Sequence, residues 1–193
     1  LTRHVTRTRQ ADLVVFSGIK INKLDDLEQI LQRGTVKMVI AAGGLALALK
    51  AAAARNEGRE FGIGLAADST QAKIHIPPER IEQAARMLRQ GDEANVEFVL
   101  PIDFVLQDGT ASTAIPDNEA QFDVGPETRA DQADAVGRFL EFHKQQTLDH
   151  HRPAIAFYNG VFGLFEEPDF EGGTREFIGQ LKRMTDAGVE VYV

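Results

Sequence analysis

Short apolar runs alternate with stretches of helical spacing along most of the chain, a pattern that predicts strands and helices exchanging in a parallel α/β sheet. "DLVVF" (12–16) predicts a buried strand and "SGIK" (17–20) a turn. Leu24, Leu27, Ile30 and Leu31 then recur at helical spacing until Gly34. The plan repeats with "VKMVIA" (36–41) as a strand and "AGG" (42–44) as a turn. "LALALKAAAAR" (45–55) reads as a helix, because its alanine content outweighs the local leucine alternation, and Gly58 supplies the stop.

"FGIGLAADS" (61–69) reads as a short strand or a loop, and "KIHIPP" (73–78) as an extended lead into a helix opened by Pro77-Pro78. Ile81, Ala84, Ala85 and Leu88 line one face of that helix. "VEFVLPIDFVL" (96–106) predicts a strand broken at Pro101 with room for a second short strand after it. Residues 107–128 are polar and predict a long loop, which in a compact domain usually carries function or motion. A helix then runs to about Gln146 with Val136, Phe139, Leu140 and His143 on one face. "AIAFY" (154–158) is the next strand; Phe177, Leu181 and Met184 mark the last helix, and "VEVYV" (189–193) a final strand. The expected fold is a single three-layer α/β/α domain over residues 1–193 with a mainly parallel sheet.

Composition narrows the function classes. A chain of 193 residues buries a sizeable core in one domain, and without cysteines it needs no disulfide framework. It has no apolar run of about 18 residues and no signal-peptide layout, so a soluble, cytoplasmic protein without a membrane partner is expected. With 29 acidic against 21 basic side chains, the net charge of −8 argues against a nucleic-acid footprint. The basic start at 3–9 is too short to change that. The chain opens on Leu1 and stops on an apolar run, which predicts a piece of a longer protein.

Ligands of open parallel sheets lie outside the carboxyl ends of the strands, where turns and helix N-termini present free N–H groups. Three glycine-bearing turns, "SGIK", "AAGG" and "YNGVFG", hold that position, and Lys20 and Lys23 accompany the first. Together they suggest a nucleotide or phosphate cleft, although glycine also serves turn geometry alone and lysines of a first helical turn are commonly just solvated. Neither G-x-x-x-x-G-K-[ST] nor G-x-G-x-x-G occurs at these turns.

The order of the motifs is more specific than any one of them. "FSGIKINKL" resembles the G-G-A-K-V-x-x-K segment of phosphoglycerate kinases, "IAAGGLA" their I-G-G-G-M-A turn, and "VEFVLPIDFVL" their V-x-x-x-L-P-V-D-x-V strand. "DVGPET" is similar to D-x-G-P-x-T, and "FYNGVFGLFEEPDFEGGT" to V-W-N-G-P-x-G-x-F-E-x-x-x-F-x-x-G-T. The match runs from about residue 12 to 193 and points to the C-terminal, nucleotide-binding half of that family, a Rossmann-like α/β domain.

This resemblance implies ATP or ADP binding with Mg2+, in reversible phosphoryl transfer between ATP and 3-phosphoglycerate once the N-terminal half is present. Lys20 would meet the phosphates and the moving phosphoryl group, the compact cation such transfer needs. Ser17, Gly18 and Lys23 would line the same turn, and Gly43 and Gly44 would let adenine approach the backbone. Leu100 and Leu164 would touch the base, Asn159 and Gly160 flank phosphates and sugar, and Glu166 hold the ribose, its two acceptor oxygens matching two hydroxyl donors. The resemblance places the magnesium ligand beyond Val193, assigns 3-phosphoglycerate to the other half, and implies a monomeric full-length protein.

The departures bear on the same residues. The family's first glycine is Ser17, its small residue Ile19, its second lysine Leu24, its first triplet glycine Ala42, and its proline after Asn-Gly is Val161. Such side chains narrow a turn or forbid positive φ. Lys23 stands one place early, which without a deletion turns it about 100° round the helix. The alternative is therefore a catalytically silent relative that keeps the scaffold, either as a nucleotide-binding module or as an interaction module that has lost the site. His143, His150 and His151 lack a carboxylate or cysteine cluster at ligand spacing and read as a solvated helix end rather than a metal site. Asp103 and Asp123 read as structural, the second as a cap for the helix after Gly125-Pro126.

Overall fold

In the computed structural model, which describes residues 9–68, 70 and 74–193, five parallel strands form the central sheet in the order β3-β2-β1-β7-β8. They are β1 (Leu13–Phe16), β2 (Met38–Ala41), β3 (Glu97–Val99), β7 (Ile155–Asn159) and β8 (Glu190–Tyr192). The helices are α1 (Lys23–Leu31), α2 (Gly43–Asn56), α3 (Pro78–Glu93), α4 (Pro126–His150) and α5 (Gly172–Asp186). The basic start, save Arg9, lies outside the described residues, as does part of the extended lead into α3.

Strand alternation sorts the core into two layers. Val14, Phe16, Val39 and Ala41 pack with Leu24, Leu27, Leu45, Leu49 and Met87 of α1, α2 and α3. Leu13, Val15, Met38 and Ile40 face the other way, onto Val136, Phe139, Phe177 and Met184 of α4 and α5. Both faces of β1 and β2 are buried, which is why those strands read as continuous apolar runs.

The chain builds outward from β1 through β2 to β3, then returns to the other side of β1 with β7. The sheet therefore has its topological switch between β1 and β7, where successive connections leave on opposite faces and a crevice opens at the strands' carboxyl ends.

The short strand allowed for after Pro101 forms, and much of the predicted loop at 107–128 joins it in a second sheet. β4 (Phe104–Leu106), β5 (Ala111–Ser112) and β6 (Gln121–Val124) pair antiparallel in the order β5-β4-β6. A two-residue strand and a polar four-residue one carry almost no periodic signal; they exist because β4 pairs with both. The same segment packs on Gly64, whose φ of +57° and contact with Ile115 and Glu119 exclude a side chain. The helix predicted to end near Gln146 continues to His150, with His151 closing it at φ +53°.

The capping assignment also changes. Asp103, not Asp123, caps α4: its Oδ1 accepts from the Thr128 N–H at 2.8 Å and its Oδ2 from the Glu127 N–H at 3.2 Å, while the Thr128 hydroxyl accepts from the Ile102 and Asp103 N–H groups, both at 2.9 Å. His143 is buried, not solvated. Its Nδ1 accepts from the Ala154 N–H at 3.1 Å, which leaves Nε2–H to donate to the Ala187 carbonyl at 3.1 Å, so the ring joins α4, β7 and the end of α5 as a neutral tautomer. Replacing Asp103 by Ala removes two acceptors from a buried helix start and is predicted to cost about 2 kcal/mol, read from the urea unfolding midpoint at unchanged slope.

Candidate functional site

The turns after β1, β2 and β7 meet at the switch point. The register places Phe16 beside both Ala41 and Asn159, so the next residues of all three strands emerge together. The Ser17 N–H donates to the Asn159 carbonyl at 3.0 Å, the Ala42 N–H to the Phe16 carbonyl at 3.1 Å, and the Gly44 N–H to the Gly18 carbonyl at 3.0 Å. The buried Ser17 hydroxyl donates to the Val161 carbonyl at 2.6 Å. Seven of the anticipated site residues, Ser17, Gly18, Lys23, Gly43, Gly44, Asn159 and Gly160, are thus one contiguous corner.

Lys23 fills its centre. Although it opens α1, its side chain folds back so that Nζ donates to the Ser17 carbonyl and to Asn159 Oδ1, both at 2.7 Å. The ammonium also lies 5.8 Å from the Phe16 ring centroid. Burial holds its pKa below the usual lysine range; Asp26 partly opposes this and Lys20 adds to it. The flexible stem brings Lys23 Nζ into the corner despite the expected 100° offset, and the neighbouring Leu24, where the resemblance puts a lysine, is fully buried in the core.

The same ammonium explains two of the glycines. A Cβ on Gly18 would come 3.1 Å from Lys23 Nζ, and one on Gly160 would come 3.0 Å from it and 2.5 Å from the Ser17 carbonyl oxygen. Gly18, Gly43 and Gly160 have φ of +114°, +64° and +99°. None of the departures Ser17, Ile19, Ala42 and Val161 has positive φ, and Ala42 sits at −144°, so they fall where the backbone accepts a side chain.

Lys20 is placed differently. It lies on the same turn, its carbonyl accepting the Lys23 N–H at 3.1 Å, but its side chain is exposed and makes no hydrogen bond or ion pair among the described residues. Beside it Ile19 is 64% exposed. The corner therefore offers one outward cation and one inward one.

The remaining anticipated residues are held apart from the corner. Leu100 follows edge strand β3 and borders an open cleft of about 1060 Å³ with Phe98, Val99, Leu88 and Arg138. Its connection is fixed by Lys50 of α2, whose Nζ donates to the Pro101 carbonyl at 2.5 Å, a tie that no sequence motif signalled. Leu164 and Glu166 are exposed on the 160–171 segment between β7 and α5. The Leu164 N–H donates to the Phe122 carbonyl at 2.8 Å and the Phe162 N–H to the Thr174 hydroxyl at 3.0 Å. Among the described residues no group of three or more His, Cys, Asp or Glu gathers to hold a metal ion, and no helix is long and apolar enough to cross a membrane.

Comparison with known proteins decides the family. The family profile for phosphoglycerate kinase matches residues 1–192. The chain belongs to the phosphoglycerate kinase family. Phosphoglycerate kinases of Streptomyces griseus and Streptomyces avermitilis are 29% and 26% identical to it over 181 and 178 residues, covering 91% and 84% of this chain. Only 40% and 37% of those relatives is spanned, so the chain corresponds to about two fifths of their length. The same fold occurs in solved phosphoglycerate kinases. That of Coxiella burnetii superposes with a TM-score of 0.62 at 23% identity, over 100% of this chain and 50% of its own. That of Pyrococcus horikoshii OT3 gives 0.66 at 17%, over 97% and 43%.

Two substitutions separate the inward cation from the outward one. Lys23→Met leaves the Ser17 carbonyl and Asn159 Oδ1 without their donor and is predicted to cost about 2 kcal/mol in urea unfolding, whereas Lys20→Met leaves the midpoint unchanged. Gly160→Ala combines a positive φ with a backbone clash and is predicted to cost about 2 kcal/mol or more by the same measurement.

Proposed function

We propose that this chain is the nucleotide-binding half of a phosphoglycerate kinase, binding MgADP or MgATP at the β1–β7 crevice. The observation that carries the reading is the convergence of three glycine turns at the sheet's switch point, with Lys20 facing outward beside them. In the full-length protein the activity would be reversible phosphoryl transfer between ATP and 3-phosphoglycerate, the second substrate being held by the other half. Magnesium would neutralise phosphate charge during that transfer. No residue of this chain is assigned to the metal, because its described carboxylates do not gather into a site.

The residues here would bind and orient. Lys20 would place a mobile ammonium against the phosphates, and Gly43 and Gly44 would keep the start of α2 free of side chains. Asn159 and Gly160 would border the sugar and phosphates, with Asn159 held in place by Lys23. Glu166 would accept from the ribose hydroxyls, and Leu164 and Leu100 would flank the base. Fixing the sugar orients the phosphates without touching the reacting atoms.

A second reading, a relative that binds nucleotide weakly and is catalytically silent, is favoured by one observation. The Ser17 hydroxyl and the Lys23 ammonium are already bonded within the corner, so part of the charge a phosphate would meet is directed inward.

Calorimetric titration of the full-length protein with MgADP separates the two. The kinase reading predicts saturable binding that Lys20→Ala and Glu166→Ala each weaken about tenfold, the size of one charge-assisted hydrogen bond. Binding indifferent to both, or none at millimolar nucleotide, contradicts it.

A further inference from the structure

The 160–171 segment, which carries Leu164 and Glu166, closes at both ends on one buried carboxylate. Asp123, in β6, is 1% exposed. Its Oδ2 accepts from the Gly173 N–H at 2.7 Å, at the start of α5, and its Oδ1 from its neighbour Val124 N–H at 2.8 Å. A Cβ on Gly173 would collide with Asp123 Oδ1, and one on Gly163 would meet the Phe170 carbonyl oxygen first and fall 2.6 Å from Asp123 Oδ1. At Gly172 the space beside the backbone is taken by the Arg129 guanidinium, which a side chain there would have to displace. The segment thus leaves β7, passes over the carboxylate at Gly163, and returns to it at Gly172-Gly173.

Between those ends the segment is tied by the Ser17 hydroxyl on the Val161 carbonyl and by its own turn, where the Glu167 and Phe170 N–H groups donate to the Leu164 and Glu167 carbonyls, both at 2.9 Å. The Leu164 and Phe162 N–H bonds and the Phe122–Phe170 ring pair, 5.0 Å between centroids, hold its flanks, while Leu164 and Phe165 stay 37% and 43% exposed. Helix α5 does not need a buried charge to dock, since Phe177 and Met184 anchor it in the core. Burying a carboxylate is costly, and here the cost is visible: burial raises the Asp123 pKa, against the pull of the Gly173 and Val124 N–H groups and of Arg129, with Glu176 of α5 adding to the rise. A buried charge ringed by glycines and bonded to the N–H at the start of α5 has a local task.

We propose that Asp123 is a positioning residue for the 160–171 segment, holding Leu164 and Glu166 where the base and ribose of an adenine nucleoside diphosphate would meet them. The inference rests on the nucleotide-binding reading above for its ligand, and on the geometry alone for its effect on the segment. Asp123 touches no substrate atom; it acts by fixing the ends of the segment whose tip does.

The test compares Asp123→Asn with Asp12→Asn in the full-length protein. Asp12 is 2% exposed at the amino ends of β1 and β7, away from the turns, where it accepts from the Ile155 N–H at 2.9 Å and pairs with Arg152. Both variants lose a buried charge, but only the first lies under the segment. Amide hydrogen exchange across 162–173 is expected to accelerate about tenfold in Asp123→Asn, and MgADP affinity to fall about tenfold, as for one lost charge-assisted hydrogen bond. Asp12→Asn is expected to leave both unchanged and to accelerate exchange near 154–155 instead. Gly173→Ala keeps the carboxylate but sets a Cβ against its Oδ1, pushing the start of α5 off it; it is expected to reproduce the Asp123→Asn pattern and decides the matter if Asp123→Asn does not fold. Unchanged exchange across 162–173, or equal loss of affinity in Asp12→Asn and Asp123→Asn, overturns the proposal. If the unsubstituted protein does not bind MgADP, the nucleotide reading fails and takes the ligand assignment with it; exchange across 162–173 then still upholds or overturns Asp123 as the organiser of the segment.

The raised pKa adds a stability signature with a definite sign. The folded chain binds the Asp123 proton more tightly than the unfolded chain, so this group lowers stability as pH rises from the ordinary carboxylate value, about 4, through the raised one. The difference in urea midpoint between the unsubstituted protein and Asp123→Asn is expected to shift along that window in favour of the variant as pH rises.

Discussion

The position of one ammonium group governs the candidate site. Lys23 Nζ sits between the turns that follow β1 and β7, at the point where the sheet changes direction, and joins them through the Ser17 carbonyl and Asn159 Oδ1. Parallel strands at such a point have connections that diverge, leaving backbone carbonyls with no strand partner. The lysine satisfies one of them and fixes the asparagine side chain, and its bulk is what Gly18 and Gly160 make room for. Glycines in a strand-to-helix turn usually suggest a ligand drawn close to the backbone; in this crevice they admit a side chain of the protein itself. The consequence for chemistry is a division of labour, with Lys23 structural and Lys20 turned to solvent.

Around that corner, buried carboxylates do what the apolar core cannot. Apolar packing brings α4 and α5 to the sheet but leaves their N-terminal N–H groups and the loops before them without a defined register. Asp103 fixes the start of α4, Asp123 the start of α5 with the segment ahead of it, and Asp12 the start of β7 through Ile155. Part of the chain's acidic excess is therefore internal and directional. Each of these acids is matched to N–H groups or an arginine.

The sequence made the central architecture legible because β1, β2 and β7 are buried on both faces and α1 and α3 carry apolar stripes. It also brought the corner residues together, since three glycine turns after three parallel strands have only one edge to share. What escaped it were features created by partners distant along the chain. β5 and β6 are too short and polar to signal themselves, and pair only because β4 lies between them. The α4 cap lies 25 residues from Thr128, at Asp103, while the nearer candidate, Asp123, reaches 50 residues onward to Gly173. Helical spacing turned Lys23 away from the site because spacing fixes where Cα points, not where a four-carbon stem ends. His143, read as solvated from its place near a helix end, is instead bonded at both ring nitrogens.

We propose the β1–β7 crevice, braced from within by Lys23, as the nucleotide site of a phosphoglycerate kinase half. Mapping backbone amide shifts by NMR during addition of MgADP addresses it most directly, because every element of the corner contributes an amide. The largest changes are expected at Gly18, Lys20, Gly43, Gly44 and Gly160, with a second group at Leu164 and Glu166. Changes confined to the cleft beside β3, or spread evenly without reaching the three turns, would contradict it.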